Sequence, residues 1–105
     1  GAAAAQAEAR SARVLGFLLE QYLADPRLLD DYVLLRFREA EGGRFLRDLA
    51  PGAMETEITR RYHGSGVLIR LVADHIAGMT DAYARFEYGR LSGPGSGPAA
   101  GGPRH

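Results

Sequence analysis

Residues 67–91 read VLIRLVADHIAGMTDAYARFEYGRL, and this stretch decides the fold. Its apolar members fall at Leu68, Leu71, Val72, Ile76, Met79, Tyr83 and Phe86, mostly in steps of three and four, which places them on one stripe of a helix. The spacing predicts a single long helix over Val67–Leu91. At about 100° per residue, Asp74, Gly78, Asp81 and Arg85 stack on a second face of that helix, roughly 120° from the centre of the apolar stripe.

Gly78 is an unexpected residue inside such a helix, because an interior glycine costs on the order of 1 kcal/mol relative to alanine. Three readings offset that cost. A neighbouring helix packs closely, a ligand approaches the backbone, or the helix breaks locally and Thr80 or Asp81 caps a new start.

The run Asp74-His75-Ile76-Ala77-Gly78-Met79-Thr80-Asp81-Ala82-Tyr83-Ala84 resembles a signature, D-Y-I-A-G-M-T-D-R-Y-A. That signature lies near the C-terminus of bacterial deoxyguanosinetriphosphate triphosphohydrolase-like proteins, which are HD-type metal-dependent phosphohydrolases. Nine of the eleven positions agree. Upstream, Phe17-Leu18-Leu19, Tyr22-Leu23, Asp25-Pro26 and Leu28-Leu29 are similar to the helix and turn that precede the signature in that family, so the resemblance spans roughly residues 10–91. His75 stands where the family has tyrosine and Ala82 where it has arginine. Any contact that this arginine makes to an anionic substrate or a partner subunit is therefore missing here.

The resemblance implies the C-terminal, phosphohydrolase-associated region of an enzyme that cleaves deoxynucleoside triphosphates to deoxynucleoside and triphosphate. A divalent metal such as Mg or Mn, bound elsewhere in the parent protein, would activate the water. Within this chain the resemblance points to Asp74, Gly78, Asp81, Tyr83 and Arg85 as substrate or interface residues. It also implies an HD catalytic core as partner, with a homo-oligomer as a further possibility.

Composition sets limits of its own. A chain of 105 residues with 46% hydrophobic content holds at most one small domain. Thirteen basic and thirteen acidic residues cancel, leaving no net field to gather nucleic acid or an anionic membrane surface. All the basic residues are arginine. With no cysteine there is no disulfide, no thiolate metal site and no cysteine nucleophile. Glu8, Arg10 and Arg13 interrupt the alanine-rich N-terminus, and no apolar run approaches the ~20 residues of a membrane span. A cytoplasmic location is the expectation.

From the start of the chain, a first helix is expected over about Ala3–Ala24, with Val14, Leu15, Leu18, Leu19, Tyr22 and Leu23 on one side and Asp25-Pro26 as its stop. A second runs from Leu28 or Leu29 to Ala40 and ends at Gly42-Gly43. Arg44–Ala50 and Met54–Tyr62 read as shorter helical pieces separated by Pro51-Gly52. His63-Gly64-Ser65-Gly66 is a break, with Ser65 as the cap of the long helix. The expected fold is all-α: a small bundle of three to five helices over residues 3–91 with a long C-terminal helix, followed by a disordered Gly/Pro-rich tail over 92–105.

No catalytic set and no metal site is expected within the chain. Asp74 and His75 are adjacent, but their side chains diverge by about 100° on a helix and cannot chelate together. His75 reads as a histidine at the edge of the core, and His63 as a loop residue. Asp74 and Asp81 lie roughly 10 Å apart along a helix, too far to share a proton or an ion. Asp81 and Arg85 form an i, i+4 pair. The chain alone is expected to be inactive. The alternative to an enzyme's helical region is a free-standing interaction module that dimerises through the Leu68 to Phe86 stripe.

Overall fold

A computed structural model describes residues 1–93. Helices account for about four-fifths of them, and no strand occurs among the described residues. The α-helices are α1 (Ala2–Ala24), α2 (Asp31–Glu41), α3 (Pro51–Glu57), α4 (Gly66–Ala77) and α5 (Asp81–Ser92). Short 3-10 turns cover Pro26–Leu28 and Leu46–Asp48, and a π turn, Ile58–Tyr62, continues directly from α3. The expected tail lies, apart from Ser92 and Gly93, outside the described residues.

Two compact units make up the chain. One is Leu19–Gly78; the other joins Gly1–Leu18 to the described residues from Met79 to Gly93.

In the unit Leu19–Gly78, Asp25 and Pro26 end α1. The Asp25 carboxylate accepts the backbone N–H of Arg27 at 3.1 Å, and the Arg27 guanidinium binds the same carboxylate at 2.9 Å. That hydrogen bond to Asp25 is the largest of the influences that raise the Arg27 pKa. Helix α2 lies against α4. The core of the unit consists of Tyr22, Leu29, Val33, Leu34, Phe37, Leu46, Ile58, Tyr62, Leu68, Val72 and Ile76, all buried. Phe37 and Tyr62 stack with ring centroids 4.3 Å apart. Ser65 caps α4 by accepting the N–H of Leu68 at 3.2 Å, as the sequence leads one to expect. Pro51, instead of closing the preceding turn, occupies the first turn of α3, where its missing N–H has no helical partner to lose.

Arginines tie the irregular segments of this unit together. Arg47 donates to the carbonyls of Leu29 at 2.5 Å and Arg27 at 3.0 Å, and pairs with Asp31 at the start of α2. Arg61, on the π turn, donates to the carbonyls of Glu41 at 2.6 Å and Gly42 at 2.9 Å, satisfying the orphan acceptors at the end of α2. Gly42 and Gly43 have φ of 79° and 87°, so the chain leaves α2 through two consecutive left-handed residues.

In the other unit, Gly1 and the first part of α1, to residue 13, are exposed throughout. Further along, the ring of Phe17 meets Tyr88 of α5 edge-on at 4.9 Å. Leu18, Ala84 and Leu91 are buried, together with the charged Glu87. Arg90 grips the Glu87 carboxylate with two hydrogen bonds of 2.7 Å, the bidentate geometry that suits a carboxylate held away from water.

Stretch 67–91 differs from the expectation in one respect that matters. It is helical, but it forms two helices instead of one long one, with a break at Gly78-Met79-Thr80. Of the three readings of Gly78, the local break is the observed one. Among the described residues no neighbouring helix approaches it: a Cβ built on Gly78 would meet only the carbonyls of Asp74 and His75, at 3.6 and 3.7 Å. Its φ of −85° is open to any residue. Thr80 then restarts the chain by accepting the N–H of Tyr83.

Candidate functional site

The break divides the apolar stripe between two helices, α4 and α5. Leu68, Val72 and Ile76 are the buried positions of α4, whereas those of α5 are Ala84, Glu87 and Leu91. Tyr83 and Phe86, which close the expected stripe, point to solvent with exposures of 37% and 64%. Their rings stack on each other with centroids 6.3 Å apart. Helix α5 therefore presents an aromatic pair at its surface.

The expected second face divides in the same way. Asp74 is exposed on α4 and Gly78 caps that helix, both in the unit Leu19–Gly78. Asp81, Tyr83 and Arg85 lie in the first turns of α5, in the other unit. Asp81 contributes a negative charge to the positive end of α5. No ion pair joins it to Arg85 among the described residues.

His75 occupies the most elaborate polar setting in its unit. Its side chain is 6% exposed. The hydroxyl of Tyr32 lies 2.5 Å from Nδ1, and the Asp30 carboxylate lies 3.9 Å from Nε2. The rings of Tyr22 and Tyr32 flank the imidazole at 5.8 and 5.4 Å, and the guanidinium of Arg36 sits 5.8 Å over the Tyr32 ring. The imidazole thus links the first turn of α2 to the last turn of α4, in keeping with a histidine at the edge of the core. His63, in the loop before α4, is exposed and reaches the Ala24 carbonyl at 3.4 Å.

Among the described residues no three His, Cys, Asp or Glu side chains converge so that a metal ion could be held. The divalent ion implied by the resemblance therefore does not fit these residues. A shallow hollow lined by Glu55, Thr56, Thr59 and Arg60 lies along the outer side of α3 and the π turn. It offers one surface of a helix and no enclosure. No described helix is long and apolar enough to cross a membrane.

Sequence reasoning did not find the arginine staples at Arg47 and Arg61 or the buried Glu87. An i, i+3 partner, Arg90, was the only local signal for the last of these.

Fold and site together define a small all-α region whose exposed aromatic pair overlaps the end of the sequence signature. Residues 44–90 match the family model of the phosphohydrolase-associated domain. The match takes in the Asp74–Ala84 run and all of α3 and α4, and it supports an HD-phosphohydrolase-associated region over that stretch. No curated protein and no solved structure matches the chain.

Proposed function

We propose that the chain is the C-terminal helical portion of a dNTP triphosphohydrolase of the HD type, in which it buttresses a catalytic core that carries the metal and performs the hydrolysis. The observation that carries this reading is the match of residues 44–90 to the phosphohydrolase-associated domain. The resemblance of the eleven-residue run to the dGTP triphosphohydrolase-like signature supports a dGTP-type substrate. Tyr83 and Phe86 are the side chains that dock on the core, because they are the exposed members of the apolar stripe, while Leu68, Val72 and Ile76 are buried and Leu71 and Met79 half-buried. Asp81, Tyr83 and Arg85, which share the first turns of α5, face a wall of the nucleotide pocket or a second subunit, whereas Asp74 and Gly78, at the end of α4, are not part of that surface. A stand-alone module that dimerises would have to use the same Tyr83 and Phe86 surface.

The test measures triphosphate release from each deoxynucleoside triphosphate with Mg or Mn, for the 105-residue chain alone and mixed with the HD phosphohydrolase core encoded in the same genome. Expected are no turnover by the chain alone, co-elution of chain and core from a sizing column, and dGTP-dependent triphosphate release by the complex. Turnover by the chain alone, or separate elution of chain and core, would overturn the proposal. A chain that runs as a stable dimer and ignores the core establishes the module instead.

A further inference from the structure

We draw no further inference here: the strongest candidate, the exposed aromatic pair Tyr83 and Phe86 on α5, belongs to the surface already assigned to the phosphohydrolase core, and nothing in the structure shows what else covers it.

Discussion

The Oγ1 of Thr80 accepts the backbone N–H of Tyr83 at 3.1 Å, and this one hydrogen bond marks where a continuous helical pattern becomes two helices. Thr80 has an extended backbone, with φ −73° and ψ 160°, so it starts α5 instead of continuing α4. Thr80→Ala removes the cap and should lower stability by about 1 kcal/mol, a Tm fall of about 4–8 °C for a chain of this size. Gly78→Ala should act in the opposite direction. Its backbone is right-handed and its added methyl meets only ordinary contacts, so stability should rise by about 0.4–1 kcal/mol through the unfolded state. Thermal melts followed by circular dichroism check both. If Gly78→Ala is destabilising in the isolated chain, the account of the break is wrong.

A second prediction concerns the exit from α2. A Cβ on Gly43 would lie 2.8 Å from Cζ of Arg61, and the residue has φ +87°. Gly43→Ala therefore combines backbone strain with a collision against the guanidinium that caps α2, a loss of about 1–3 kcal/mol. Arg61→Ala alone leaves the carbonyls of Glu41 and Gly42 without their donor, and should cost on the order of 1 kcal/mol. The two changes should not add: without the guanidinium, the alanine at 43 retains only its strain. A double-mutant cycle in urea reads that coupling directly, and strict additivity would show that Arg61 does not occupy the space beside Gly43.

Much of the fold is legible in the sequence because local rules govern it. Asp25-Pro26 and Ser65 act as read, since proline geometry and serine capping depend on neighbours in the chain. Gly78 shows where such rules stop. Its helical cost signals an exception, but a break, a close neighbour and a ligand leave the same mark in one sequence. Beyond the break a separate helix begins, and in it Tyr83 and Phe86 are exposed while Glu87 is buried. Periodicity carries no information about that break. Arg47 and Arg61 were invisible for another reason: they bind backbone carbonyls about 18–20 residues away, and carbonyls look alike at every position.

The third prediction uses the absence of lysine and cysteine. With all the basic residues arginine, the side chains that ionise in the alkaline range short of arginine itself are the five tyrosines. Burial against Phe37, followed by the charge of Glu57, raises the pKa of Tyr62 above its ordinary 10.0. A raised phenol pKa means that the folded chain retains this proton when the unfolded chain has released it. The contribution of Tyr62 to stability is therefore complete below pH 10 and declines as pH rises above it. Phenolate absorbance should show a delayed ionisation that Tyr62→Phe removes. The variant should also lose less stability than the native chain between about pH 9 and 11, at equal salt. An unchanged titration curve would remove Tyr62 from the account of alkaline unfolding.

The last prediction separates folding from association at Phe86. The side chain is 64% exposed, so its removal takes little apolar area out of the fold, and Phe86→Glu should leave the chain's helicity intact and its Tm nearly unchanged. At an interface the same side chain behaves differently. An aromatic residue that becomes fully buried on docking commonly accounts for about 2 kcal/mol or more, and a glutamate in its place adds the desolvation of a charge. Affinity for the phosphohydrolase core should therefore fall at least about thirtyfold, since each 1.4 kcal/mol is about tenfold. Ile69 is the control: it is 44% exposed but lies on α4, outside the aromatic pair, and Ile69→Glu should leave affinity within about twofold. Titration calorimetry or fluorescence anisotropy with the purified core gives both numbers. Equal losses for the two variants would mean that any added negative charge repels the core, and that the Tyr83 and Phe86 surface is not where the chain docks.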